Sequence, residues 1–323
     1  MTVSLTLFTT CKSFQGQFAT IQRNALRSWK RLCPPCEVLV FGNEAGVGQC
    51  CDELGFKQIP EIARSKFGTP LLSDLFRQAD HSANNDYLAY VNADIILTRD
   101  LMIAAETTAK RFQKFLLIAR RWNVGIESEW DFQEADWELK LRDYVANHGT
   151  LEPPYGGVDL FLYPRAIWDD LPPFAVGRTR WDSALIHRAR QMGMAVIDAT
   201  DALTSIHQNH DYSHNHLGTA GVFKGPEAIT NEKLLGGEEF IFTPLNATHV
   251  LTKTGLHRNR TLYPPYLLRK LATLPALHRP LRPLVPMVRY LAPVWRSFAA
   301  QFKGAKLNPQ SPSVIGKQRA RHD

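Results

Sequence analysis

A mostly parallel α/β sheet with helices on both faces is the fold class this sequence predicts, and three observations predict it. Between residues 4 and 119 short β-rich runs alternate with stretches of helical apolar spacing, the pattern of successive strand–helix–strand units. The run 86–97 (DYLAYVNADIIL) is apolar and partly β-branched, as expected of a strand buried on both faces. An apolar share of 44% over 323 residues supplies enough material for one large core.

The elements follow in order. Residues 4–10 (SLTLFTT) read as the first strand. Residues 14–32 place Phe14, Phe18, Ile21, Ala25 and Trp29 on one helical face. A second strand at 37–41 (EVLVF) closes on Gly42, and a short helix at 48–54 leads to a third strand at 56–59. Residues 70–79 (PLLSDLFRQA) predict a helix with Pro70 in its first turn. The central strand at 86–97 precedes a helix at 100–112 and a strand at 115–119. From 122 to 155 the chain is acidic and aromatic with no clear strand. A strand at 156–163, a helix at 180–191 and strands at 195–199 and 203–206 complete the pattern, followed by loop and short helix at 225–237. Seven prolines between Pro264 and Pro293 require any helix there to be short and broken.

Charge divides the chain. The net charge is +7, yet residues 240–322 contain no acidic side chain, so the basic character belongs to the C-terminal quarter. The expected division is therefore a nucleotide-binding body over 1–239, a basic Pro-rich helical extension over 240–305, and a disordered tail over 306–323. Leu, Val, Trp and Tyr mixed with Arg269, Lys270, Arg279, Arg282, Arg289 and Arg296 suit either packing on the body or peripheral contact with an anionic membrane. No nucleic-acid module is recognisable, so nucleic acid is not an expected partner. The N-terminus lacks signal-peptide features and no run is long enough to span a bilayer. A cytoplasmic location is expected, peripheral to the inner face of a membrane if the extension binds one. Five cysteines, with prolines inside the Cys33–Cys36 gap and Cys50 adjacent to Cys51, read as reduced packed thiols.

In such sheets ligands sit beyond the carboxyl ends of the strands, here Thr9–Thr10, Gly42–Glu44 and Asn92–Asp94. A carboxylate at the end of a dry strand is costly unless compensated. A divalent cation bridging Asp94 to a diphosphate would compensate it. On an extended strand Asn92 and Asp94 would face one ligand; the plainer alternative is a turn or a cap for the following helix.

The segment Asn92-Ala93-Asp94 resembles the Asp-x-Asp signature of GT-A fold glycosyltransferases, of the family 2-like superfamily, and the order of elements from about Thr2 to His216 is similar to that fold. The likeness includes Thr9–Thr10, the helix with Gln22, Leu26 and Trp29, the run 38–42, and Gly156-Gly157-Val158-Asp159-Leu160-Phe161-Leu162. It implies a GT-A-like domain that moves a sugar from a UDP- or GDP-linked donor with Mn2+ or Mg2+. It implies further that Thr9, Thr10 and Glu44 frame the nucleoside, that Ser73 or Asp74 approaches the ribose or sugar, and that Asp94 holds the metal. Asn92 departs from the signature's first Asp and supplies less charge.

Asp182, opening the helix after Arg180-Trp181, is either a helix cap or, by the same resemblance, an acceptor-binding residue or general base; Asp159 competes for that role, and Trp181 could stack on a sugar. Four of the eleven histidines fall between His207 and His216. The resemblance makes His207 first, and His210 second, a metal or diphosphate ligand. The acceptor would be a glycan, a lipid-linked sugar or a small molecule. Two other readings stand beside this one. A zinc hydrolase would use His207, His210, Asp211, His214 and His216 and recruit His249 or His257. A non-catalytic nucleotide-sugar-binding relative is compatible with Asn92.

Overall fold

The computed structural model describes residues 3–32, 34–211, 218–259, 267–268, 271–273 and 275–287. In chain order the elements are β1 (Leu5–Thr10), α1 (Gly16–Lys30), β2 (Glu37–Phe41), α2 (Val47–Leu54), β3 (Lys57–Ile59), α3 (Leu72–Ser82), β4 (Tyr87–Val91) and β5 (Ile95–Leu97). Next come α4 (Asp100–Ala109), β6 (Phe115–Ile118), β7 (Arg121–Val124), α5 (Trp137–His148), β8 (Thr150–Leu151), β9 (Leu160–Pro164), α6 (Trp181–Gln191), β10 (Ala195–Asp198) and β11 (Ser205–Gln208). The last are α7 (Gly218–Lys224), α8 (Pro226–Leu235), β12 (His249–Thr252), β13 (Gly255–Arg258) and α9 (Pro275–Leu281).

Nine strands form one sheet in the order β13-β12-β10-β6-β9-β4-β1-β2-β3. Its pairings are parallel except around β9, which runs antiparallel to β4 and β6, and at β13 against β12. Period-two alternation divides its side chains between two cores. Leu5, Leu7, Val38, Val40, Ala89 and Val91 meet α1, α2 and α4 on one face. Phe8, Leu39, Phe41, Leu88 and Tyr90 meet α3 and α6 on the other. The expected class, an α/β sheet covered on both faces, is the observed one.

α1 forms because Phe18, Ile21, Ala25, Leu26 and Trp29 line its buried side. Each large side chain so covered contributes roughly 1.5–3 kcal/mol. The same helix also fixes what lies beyond the sheet. Trp29 Nε1 donates to the Ile95 carbonyl at 2.9 Å, and Ser28 Oγ accepts the Leu97 amide at 3.1 Å.

Those bonds hold a second, four-stranded sheet, β5-β11-β7-β8, packed on α5 through Ile96, Val124, Trp137, Leu141 and Ile206. Two expectations change here. The run 86–97 is not one strand: the chain leaves the large sheet at Val91, turns at 92–94 with the Ile95 amide bonded to the Asn92 carbonyl at 3.1 Å, and enters the small sheet at Ile95. Both halves are buried, so hydropathy does not mark the turn. The region 122–155 in turn holds β7, α5 and β8, whose short, partly exposed strands lack an apolar run.

Two smaller corrections concern boundaries. α3 starts at Leu72, after Pro70, whose carbonyl instead accepts the Val176 amide at 3.0 Å. The sheet does not stop at Glu239: β12 pairs with β10 and carries β13, so the expected boundary after residue 239 falls within the sheet-bearing body. Beyond it, α9 contains Pro280, and a 3-10 turn follows at Arg282–Met287, short and broken as the prolines require. His278 and Arg282 reach the buried Glu239 at 3.0 and 3.2 Å, tying this segment to the body. The tail 306–323 lies outside the described residues. No helix among the described residues is long and apolar enough to cross a membrane. The described cysteines are free, with Cys11, Cys50 and Cys51 buried.

Candidate active site

At the carboxyl edge of β1, β2 and β4 opens a cavity of about 1110 Å³. Topology explains who meets there. In the small sheet His207 lies opposite Ile95 on the β5–β11 ladder, and the Gln208 amide bonds to the Asp94 carbonyl at 3.2 Å. Gln208 is itself locked by Asn24 (3.0 Å) and by the Ile21 carbonyl (2.8 Å). Asp94, His207 and the following His210 are thereby forced together: their Nε2 atoms stand 3.8 and 3.3 Å from Asp94 Oδ2. One ligand atom from each residue fits within 4.8 Å of the others, making them the one such group of three among the described residues.

The chemistry of this group fits a divalent cation. Asp94 Oδ1 and His207 Nδ1 are buried without a hydrogen-bond partner, a cost that a structure seldom leaves uncompensated. Burial alone would raise the Asp94 carboxyl. The neighbouring His207, the hydrogen bond from His210 and the Lys12 ammonium outweigh it and hold the carboxyl well below the usual carboxylate range. Burial conversely lowers the His207 imidazole against the pull of Asp94, with Arg121 adding to the effect. A neutral ring retains the lone pair a metal needs.

Asn92 lines the same cavity but is committed to protein partners. Within the turn its amide donates to Asp159 Oδ1 at 2.6 Å and accepts from Tyr90 Oη at 2.7 Å. The backbone between Asn92 and Asp94 turns rather than extends, yet both residues line the cavity, where Asn92 uses its amide to brace Asp159. Asp159, alongside β4 through the Asn92 amide (3.0 Å), also pairs with Arg121. Both of its carboxylate oxygens are thus committed to protein partners.

Asp182 is placed differently. It lies in the first turn of α6 and lines the cavity. It does not cap the helix, whose N-cap is Arg180 with no side-chain cap, though the amides of Ser183 and Val158 favour its ionised form. Burial, aided by the negative Asp159, nonetheless pushes its carboxyl up to about 6. Arg180, just before it, has φ +86°, a left-handed conformation that costs a non-glycine residue about 1 kcal/mol or more. Trp181 is 4% exposed and packs edge-on to Tyr90; it belongs to the core and offers little face to a sugar.

The nucleoside-side expectations divide. Thr10 and Glu44 line the cavity, whereas Thr9 is wholly buried and outside it. Glu44 pairs with Arg64 at 2.8 Å and keeps Oε2 without a partner. Gly42 makes room for it: a Cβ there would sit 2.4 Å from that oxygen, at φ +102°. Ser73 and Asp74 do not reach the cavity. Asp74 accepts the Ala63 amide at 2.7 Å and so anchors the loop before α3; that loop, not the helix, carries the lining residues. Of the zinc-hydrolase set, His249 packs on Phe112, His257 is exposed on β13, and neither lines the cavity. His214 and His216 lie outside the described residues.

Sequence reasoning missed Lys12. Its backbone is held by Gln22 at 2.6 and 2.9 Å, and its Nζ lies 4.2 Å from the centre of the Phe18 ring, which packs on His210. Burial lowers its ammonium to about 8 against the attraction of Asp94. The available signal was position: Lys12 follows the carboxyl end of β1 by two residues. Arg121 and Arg178, which also line the cavity, had no such signal.

No protein-family model matches this chain, and no curated protein sequence does. Solved structures of GT-A type do match in backbone course. Among them are S. aureus TarS 1-349 in complex with UDP-GlcNAc (11% identity, 64% of this chain and 59% of that one, TM-score 0.44) and the mannosyltransferase PcManGT from Pyrobaculum calidifontis with GDP-Man and Mn2+ (12%, 62% and 56%, 0.41). Glucosyl-3-phosphoglycerate synthase from Mycobacterium tuberculosis, with Mg2+ and UDP, is a third (15%, 72% and 80%, 0.41). The chain spans 48% and 59% of the first two TarS chains it matches.

Proposed function

We propose that this protein transfers a glycosyl group from a nucleotide-diphosphate sugar to an acceptor hydroxyl. The observation that carries the reading is one cavity holding both a cation-ready cluster, Asp94 with His207 and His210, and a carboxyl raised toward neutrality, Asp182. Transfer needs charge neutralised on a departing diphosphate and a proton accepted from the attacking hydroxyl. Asp94, His207 and His210 would hold the metal, which when bound supplies positive charge to the diphosphate oxygens. Lys12 adds a fixed cation beside them. Thr10 and Glu44, with its uncommitted Oε2, would receive the nucleoside. Asp182, ionised above about pH 6, takes the acceptor proton. Asp159 is held by Arg121 and Asn92 and shapes the site.

Two imidazoles and one carboxylate suit Mn2+ better than the oxygen-seeking Mg2+. A thermal-shift screen of UDP, GDP and their sugars with each metal tests this: a nucleotide that binds the native state raises the melting temperature by mass action. Stabilisation by a nucleotide diphosphate that requires Mn2+ is the expected result; none with any nucleotide or metal refutes the reading. The same donor set also favours a second reading, a hydrolytic zinc centre, for which tight stoichiometric zinc without nucleotide binding is the signature.

A further inference from the structure

Phe67, Tyr155 and Phe223 are 50%, 50% and 49% exposed, and all three line the cavity. No other Phe, Tyr or Trp among the described residues is exposed to this degree. Half-exposed aromatic rings gathered on one cavity are the usual mark of a surface that a ligand covers.

The carriers of these rings are braced. Phe67 stands at the tip of a small hairpin closed by the Arg64–Pro70 bridge and by the Ser65 amide to the Thr69 carbonyl at 2.8 Å, with Gly68 at φ +85°. Glu227, buried on α8, accepts from Ser65 Oγ at 2.5 Å and Thr69 Oγ1 at 2.8 Å, and pairs with Arg178 at 2.8 Å. Tyr155 follows two prolines in a turn closed by the Gly156 amide to the Pro153 carbonyl at 2.8 Å. Glu152 before it is bonded to Asn123 at 2.7 Å, and a Cβ on Gly156 would fall 2.2 Å from Glu152 Oε1. Phe223 is carried by α7, whose Gly221 carbonyl accepts the Gly225 amide at the start of α8, 3.2 Å away. Such preorganisation lowers the ordering cost of binding.

Charge narrows the occupant. Arg64, Arg178 and Arg180 line the same cavity, but each has a carboxylate partner: Glu44, Glu227 and Glu232. The opening therefore does not call for a polyanion. A lipid chain would need a continuous apolar groove, whereas Thr69, Thr179, Arg180 and Asp182 share the lining with the rings. Rigid ring faces set among hydrogen-bonding groups match a molecule with apolar C–H faces and hydroxyl edges. We propose that the mouth of this cavity binds a neutral glycan, its sugar rings stacked on Phe67, Tyr155 and Phe223. As the acceptor for Asp182 this glycan rests on the transfer reading above; as a bound ligand it does not.

The test uses the full chain, labelled fluorescently, on an array of neutral and anionic oligosaccharides with UDP or GDP and Mn2+ present. Wild type is compared with Phe67→Ala, Tyr155→Ala, Phe223→Ala and the triple variant, and thermal melts verify folding. Retention on neutral glycans is expected, weakening about 3- to 10-fold with each ring removed, while any nucleotide-induced rise in melting temperature is unchanged. No retention, retention on anionic glycans alone, or equal retention by a folded triple variant overturns the proposal. Nucleotide stabilisation with no ring-dependent glycan binding leaves glycosyl transfer standing and removes this inference. Ring-dependent glycan binding with no nucleotide stabilisation does the reverse.

Discussion

Replacing Asp182 with Asn should make this protein more stable and inactive together. The carboxyl stands at about 6 against an ordinary 3.8, chiefly because α6 and the cavity wall bury it. At ~1.4 kcal/mol per pH unit, the ionised group costs the fold about 3 kcal/mol relative to the open chain. The folded-state value is the raised one, so the favourable contribution is fully present below pH 3.8 and is lost as pH rises through about 6. Asn keeps the shape and one acceptor oxygen for the Ser183 amide but carries no charge. Urea unfolding should find Asp182→Asn about 2–3 kcal/mol more stable than wild type at pH 8 and nearly equal to it at pH 4. Donor turnover should fall by about 10²–10⁴, and in wild type kcat/KM should rise through pH 6 to a plateau. A variant no more stable at pH 8 than at pH 4, relative to wild type, would refute the claim that a buried base is held here at a cost to the fold.

Asp94→Ala should abolish metal-dependent nucleotide stabilisation and turnover; full activity in that variant removes the mechanism. Lys12→Met should lower kcat/KM for the donor by about 10- to 100-fold, the worth of one charge-assisted hydrogen bond. It should raise the melting temperature at pH 7, because a buried ammonium lowered to about 8 opposes folding below that pH; a fall in melting temperature with unchanged donor kinetics counts against its role. We propose that the basic extension docks on anionic membranes. Exposed Leu277, Leu284 and Met287 beside Arg279 then predict cosedimentation with phosphatidylserine vesicles that 0.5 M salt weakens severalfold. Salt-insensitive or absent binding would exclude it.

The candidate site was legible where chemistry and strand order coincide. Asp94 stood out as a carboxylate following a dry strand, and His207 and His210 as part of a cluster after a late strand; the ladder between β5 and β11 brings all three together. The run 86–97 reads as one strand because two buried strands separated by a three-residue turn look alike in hydropathy. Ser73 and Asp74 failed because the loop before α3, not the helix, faces the cavity. The aromatic rim was invisible because Phe67, Tyr155 and Phe223 sit in three segments with no shared periodicity.

Alternation of apolar side chains along the chain determined the α/β class, most strand and helix positions, and the two-faced core, since burial imposes its period locally. Tertiary structure alone decided that β5 leaves the large sheet, that β12 and β13 join it beyond residue 239, and that Asp182 rather than Asp159 is left unpaired by cations. Those outcomes depend on which distant backbone completes each hydrogen-bond ladder and which charge finds a partner. Neither is written in the spacing of any one segment.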